Sequence, residues 1–168
     1  MRRTPPDPVA ALRVLSRHGV EFIVVGNVAG VLHGAPVTTF DIDIVHRRDD
    51  ANVARLMAAL DELRAGYRDL TDRHLPPKPD LLMTAGHNLF RTAAGDLDAL
   101  GTVGPALSYE DLLPRTVSFR LADGFEVRCI SLEQLIELKE SAGRPKDLAV
   151  LPVLRRTLQM QRDCDDPV

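Results

Sequence analysis

The sequence predicts an α/β fold in a single domain, residues 1–168: a mixed sheet flanked by helices, with a C-terminal helical pair over about 131–162. Three observations carry this. Short β-rich apolar runs alternate with helical periodicity from Pro8 to Leu63. "TVSFRLADGFEVRCI" reads as a hairpin turning at Asp123-Gly124. Two amphipathic stretches then close the chain. The length suits one domain, and 45% hydrophobic with 27% charged residues is a globular balance able to bury a core.

The elements follow in order. "MRRTPPDP" is Pro-rich and frayed. Asp7 caps a helix with Pro8 in its first turn; Val9, Leu12 and Leu15 form its apolar stripe, and Gly19 stops it. "EFIVVG" is a buried strand ending at Gly26, and "NVAGVLHG" a short helix between Gly26 and Gly34. "FDIDIVH" is the next strand. Asp49 or Asp50 caps a long helix with Val53, Leu56, Leu60 and Leu63 on one face. "RHLPPKPD" holds three prolines, which excludes regular structure. "HNLFRT" and "LDALGTV" are strands around the turn "AAGD", and Ser108 caps a short helix ending near Pro114. Ser131 with Glu133 and Gln134 opens "SLEQLIELKESAG", ended by Gly143. "PKDLAVLPVLRRTLQMQ" is the last helix, with Leu148, Leu151, Leu154 and Leu158 aligned and Pro152 expected to kink or restart it. The polar tail "RDCDDPV" is expected to be disordered.

Composition narrows the function. A net charge of −3 gives no global electrostatic case for nucleic acid or an anionic membrane, though a local basic patch is compatible with it. Nothing approaches the roughly 20 apolar residues of a membrane span. Cys129 and Cys164 lack metal or redox spacing and read as reduced thiols in a cytoplasmic protein. Lysine occurs only at Lys78, Lys139 and Lys146, which draws attention to each.

"TTFDIDIV" sets two acids inside an apolar run. Residues two apart in a strand face the same side, so Asp41 and Asp43 point together while Phe40, Ile42 and Ile44 are expected to face the core. Two carboxylates that close either share a proton or hold a cation. Hard divalent cations such as Mg²⁺ take oxygen ligands and leave positions for phosphate, the arrangement of a two-metal phosphoryl-transfer site. A solvent-facing edge strand would show the same acids. Upstream, the strand–Gly26–Asn27–helix turn offers backbone N–H groups to a triphosphate, or is an ordinary tight turn with an Asn cap. "GNVAGVLHG" is neither GxGxxG nor a Walker A loop, so dinucleotide and P-loop readings fail.

Together, "VVGNVAGVLHGAPVTTFDIDIV" resembles the nucleotidyltransferase superfamily built on the DNA polymerase β-like core, and within it the AbiEii-type and MenT-type nucleotidyltransferase toxins. The resemblance covers roughly Phe22 to Leu154. Gly26-Asn27 stands where the family has Gly-Gly or Gly-Ser; Ala29, His33-Gly34, Thr39, Asp41 and Asp43 match its positions. A third carboxylate follows in a Gly-x-Leu-Asp setting, which "AAGDLDALG" supplies at Asp98; Asp96 is set aside as lying in the turn. "LIELKESAGRPKDLAVLPVL" matches the rear motif with Lys139, Arg144, Lys146 and Asp147. Val37 stands where the family often has Arg.

The resemblance implies an NTP substrate, Mg²⁺ or Mn²⁺ on Asp41, Asp43 and Asp98, and Asp98 also taking a proton from the acceptor hydroxyl. Gly26, Asn27, Thr39, Arg144 and Lys146 would bind nucleotide. Lys139 would assist the leaving pyrophosphate and Asp147 orient Lys139 or Lys146. The implied acceptor is the 3′ end of tRNA, to which added nucleotides block aminoacylation and so translation. The implied partner is a cognate antitoxin, in some family members a kinase, for which Thr39 is the candidate phosphorylation site. A solvated helix face accounts equally for Lys139, a helix-end acid for Asp147, and β propensity for Thr38 and Thr39. Arg144, Lys146, Arg155 and Arg156 are the candidate RNA patch. Transfer to a small antibiotic-type molecule, AMPylation of a protein, and a catalytically dead binding module are the alternatives.

Overall fold

A computed structural model of the chain describes residues 6–68 and 73–165. Helix α1 (Pro8–Arg17) leads to strand β1 (Phe22–Val25), helix α2 (Gly26–Leu32) and strand β2 (Asp41–His46). Helix α3 (Asp50–Glu62), strand β3 (Gly66–Tyr67), helix α4 (Pro79–Leu82) and strands β4 (His87–Thr92) and β5 (Gly95–Leu100) follow. Helix α5 (Tyr109–Leu112) and a 3₁₀ turn precede the hairpin β6 (Thr116–Arg120)–β7 (Glu126–Ile130), and helices α6 (Leu132–Ala142) and α7 (Pro145–Asp165) end the chain.

The seven strands form one sheet in the order β3-β4-β5-β2-β1-β7-β6. The β2–β5 and β1–β7 pairs are parallel and the others antiparallel, so the sheet is mixed as expected. Strand β1 is buried at all four positions, and β2 alternates half-buried Asp41 and Asp43 with buried Ile42 and Ile44. The core is one cluster that joins these strands to Leu12 and Leu15 of α1, Val53, Leu56 and Leu60 of α3, and Leu151 and Leu154 of α7. Asp7, Asp49, Ser108 and Ser131 cap their helices, each accepting a backbone N–H bond. Gly143 ends α6 at φ 62°. Among the described residues no helix is long and apolar enough to cross a membrane.

Several expectations are corrected. Strand β2 starts at Asp41, so the alternation does not reach Phe40, which sits in a bend and is 75% exposed rather than in the core. Val9 and Leu148 also face outward. Helix α7 runs unbroken through Pro152 and on to Asp165, beyond the expected end. Pro152 and Leu148 are both exposed, so the carbonyl deprived of its donor lies on the hydrated side while Leu151 and Leu154 anchor the other. The Pro-rich stretch holds one helical turn, α4, with Pro79 at its start where a missing N–H costs nothing. His46 fixes that turn to β2: its buried Nε2 donates to the Leu82 carbonyl at 2.7 Å. Strand β5 begins at Gly95, which takes Asp96 out of the turn and into the sheet, and it ends at Leu100, short of Val103.

Candidate active site

The parallel register of β2 and β5 sets Asp41 beside Asp96 and Asp43 beside Asp98. Paired residues share a face of the sheet, so four carboxylates stand together at the sheet's centre. Ligand oxygens of Asp41, Asp43 and Asp98 lie within 4.8 Å of one another. The sequence offered Asp41 and Asp43 as neighbours; the crossover from β2 through α3 to β5 brings in Asp98 from 55 residues away in the chain.

Gly26 closes one side. It has φ +66°, and a Cβ there would sit 2.2 Å from Asp43 Oδ2. The turn from β1 into α2 therefore touches a carboxylate of the cluster, and only a residue without a side chain permits it. Gly26→Ala is expected to lose about 1–2 kcal/mol to the left-handed backbone, plus whatever displacement of Asp43 requires. Gly34→Ala is the control, since Gly34 has φ +88° with nothing within 4 Å of an added Cβ. Thermal melts should fall in both, and metal affinity in Gly26→Ala alone.

Asn27 is half-buried in the first turn of α2. Thr39 Oγ1 donates to the Asp41 carbonyl at 2.9 Å and lies 3.4 Å from Asp41 Oδ1, while Thr38 is exposed. Thr39 thus borders the cluster.

The rear motif forms a buried charge group. Asp147, 3% exposed, accepts from Lys139 Nζ at 3.2 Å on Oδ1 and from Arg144 Nε at 2.5 Å on Oδ2. Burial pushes the Asp147 carboxyl up, but the hydrogen bonds from Arg144 and Lys139 outweigh this and hold it below the usual range. Lys139 is 8% exposed, so it is not the solvated helix lysine that its neighbours Glu137 and Glu140 suggested. Arg144 and Lys146 are exposed. The four-residue basic patch is not free: Arg144 is held by Asp147 and Arg155 by Glu140, while Arg156 borders a groove with His33 and Met160. His33 is a packing residue, its Nε2 donating to the Ile130 carbonyl at 2.8 Å and its ring set edge-on to Phe119.

The electrostatics single out the cluster. Burial, then the charges of Asp41 and Asp98, push the Asp43 carboxyl up to about 7, against the pull of Lys139 and Lys146. The two ammonium groups therefore act on the cluster although Lys139 is paired with Asp147. Burial raises Asp98 to about 6, opposed by Arg68 and reinforced by Asp41 and Asp96. Carboxyls raised by burial and by one another's charge are short of positive charge, and three hard oxygen donors this close fit a hard divalent cation such as Mg²⁺ or Mn²⁺.

The sequence reading missed Arg68 and ranked Asp96 below Asp98. Arg68 follows β3 and reaches across the sheet, with Nη1 donating to Asp96 Oδ2 at 3.1 Å and Nη2 to Asp98 Oδ1. No local signal marks it. Asp96 did carry one, since "DLD" repeats the Asp-x-Asp spacing of β2.

No protein-family model and no curated protein sequence matches this chain. Solved structures share its fold. A Thermotoga maritima protein assigned as a nucleotidyltransferase aligns over 95% of this chain and 99% of its own, with 17% identity and TM-score 0.52. ANT(2″)-Ia, solved in complex with adenylyl-2″-tobramycin, aligns over 90% and 87%, with 16% identity and TM-score 0.57. The chain thus has a nucleotidyltransferase fold, a mixed sheet with flanking helices.

Proposed function

We propose that this chain is a metal-dependent nucleotidyltransferase that moves nucleotides from an NTP to the 3′ end of tRNA and releases pyrophosphate. The observation that carries the transferase reading is the Asp41–Asp43–Asp98 cluster, short of positive charge and bordered by Gly26, Lys139 and Lys146. The tRNA acceptor comes from the motif resemblance. So does the wider role: a bacterial cytoplasmic toxin that stops translation and is silenced by an antitoxin.

The acceptor oxygen forms a bond to the α-phosphorus while the bond from that phosphorus to the bridging oxygen breaks and pyrophosphate leaves. Asp98, which accepts from Arg68, is the carboxylate set to take the hydroxyl proton. Asp41, Asp43 and Asp98 would hold the divalent cation, which when bound supplies positive charge to the phosphates. Lys139, fixed by Asp147, faces the leaving group with Lys146; Gly26 and Asn27 line the phosphate side, and Arg144 keeps Asp147 in place. A phosphate on Thr39 would set about two negative charges beside Asp41, repelling triphosphate and competing for metal. Mass spectrometry of protein co-expressed with its neighbouring antitoxin is expected to find that phosphate, and an unmodified Thr39 would discard this mode of silencing.

Incubation of phosphatase-treated protein with Mg²⁺, total tRNA and each α-³²P-labelled NTP tests the reading. Label is expected in tRNA and absent with Asp41→Ala. The likeness to ANT(2″)-Ia favours a second acceptor class, a small antibiotic-type molecule. Label on tobramycin, or on a protein band, would replace the tRNA reading.

A further inference from the structure

The sheet order divides the surroundings of the cluster. On the β1 side stand Gly26 and the lysines of α6 and α7; on the other side β5 is followed by β4. An acceptor that delivers its hydroxyl to Asp98 while the triphosphate occupies the lysine side must lie over β4. That strand has buried Asn88 and Phe90 on one face and exposed His87, Leu89 and Arg91 on the other. The exposed three belong to the carboxylate face: Leu89 is the register partner of Asp98, Arg91 of Asp96, and His87 of Leu100. Arg68, whose backbone N–H donates to the Leu89 carbonyl at 2.9 Å, spreads its guanidinium over Asp96 and Asp98.

We propose that the exposed face of β4 is the acceptor subsite and that it takes the phosphate-bearing 3′ end of an RNA strand. This rests on the nucleotidyl-transfer reading. The chemistry of the strip decides the class. Arg91 offers a guanidinium to a phosphodiester and Leu89 an apolar surface, 40% exposed, to the terminal sugar or base, while His87 at the far end is tied back by its Nε2 donating to the Thr102 carbonyl at 3.1 Å. Arg68 and Arg91 stand on the β4 side of Asp96 and Asp98, so a polycationic acceptor such as an aminoglycoside would meet guanidinium groups on its way to those acids. A strand of phosphates meets complementary charge, in a protein whose overall balance is acidic.

The test uses the full chain, a tRNA acceptor-stem hairpin with an internal fluorophore, and the variants Arg91→Glu, Arg91→Lys, Leu89→Ser and, as a charge-matched control on the opposite edge strand β6, Arg120→Glu. Arg91→Glu is expected to raise both Kd by anisotropy and KM for RNA at least tenfold, with KM for NTP within twofold of wild type. It should also flatten the plot of log K against log salt by roughly one unit. Arg91→Lys should restore most of the binding, Leu89→Ser should raise KM several-fold, and Arg120→Glu should change little. Wild type that labels RNA while the β4 variants bind and react normally would overturn the subsite and leave the transferase reading standing. An equal loss in Arg120→Glu would also overturn it, by reducing the effect to net charge. Wild type that labels tobramycin and not RNA would overturn the acceptor class and the subsite together.

Discussion

Replacing Asp43 with Asn is expected to abolish nucleotidyl transfer, by more than about a thousandfold, and at the same time to stabilise the metal-free protein above pH 7. Asp43 is raised from 3.8 to about 7 by burial and by Asp41 and Asp98. Between those values the unfolded chain carries the ionised carboxylate while the folded one holds the proton. Wild-type stability therefore falls as pH rises from about 4 to about 7, and is flat beyond. The neutral amide escapes that loss, about 4 kcal/mol at about 1.4 kcal/mol per pH unit, or roughly 8–16 °C in Tm for a domain of this size. The gain should vanish near pH 4. Added Mg²⁺ or Mn²⁺ should raise the wild-type melt at pH 8 and move the variant far less. A variant that melts below wild type at pH 8 would mean that Asp43 is structurally paired rather than held in a site awaiting positive charge.

Asp147→Ala and Lys139→Met should separate stability from turnover. Removing Asp147 leaves the Lys139 ammonium buried without its partner, a loss of about 3 kcal/mol or more. Removing Lys139 leaves Asp147 still bound by Arg144, so the fold should suffer less. Turnover should respond in the opposite order. Lys139→Met withdraws a positive charge that acts on Asp43 and is expected to cut kcat about a hundredfold or more, with a smaller effect on KM for NTP. Asp147→Ala should keep more of its kcat once assayed below its lowered melting temperature. If Asp147→Ala melts like wild type and loses all activity, Asp147 belongs at the substrate and not behind Lys139.

What the sequence revealed of this site follows from distance along the chain. Asp41 and Asp43 were legible because period-two geometry is local. The turn at Gly26 was legible because a glycine between a β run and a helix has few other uses. The association of Asp98 with that pair came from motif resemblance, since nothing local states which strand will lie beside β2. Arg68 was invisible for the same reason: its role exists only through the β3–β4–β5 pairing, and a lone Arg beside Tyr67 has no pattern. Asp96 was misplaced by a boundary error of two residues, enough to move a carboxylate from turn to sheet. Phe40 shows the converse, a periodicity extended one residue past the end of its strand. Pro152 was read by local rule where packing of Leu151 and Leu154 on both sides overrode it.

The strand order also governs what happens while the chain is being made. Strand β1 lies between β2 and β7, and β7 ends only at Ile130; Lys139, Lys146 and Asp147 come later still. A nascent chain stalled before Gly143 already carries all four carboxylates but lacks Lys146, Asp147 and the helix that packs beside α6. Closing its sheet would bring repelling acids together without Lys146 of α7 to offset them, which disfavours closure. Folding of the centre is thus deferred until nearly all of the polypeptide has left the ribosome. A product terminated early would hold the acidic cluster without Lys146 and Asp147. The complete charge group, acids and lysines together, assembles only once α7 has been made.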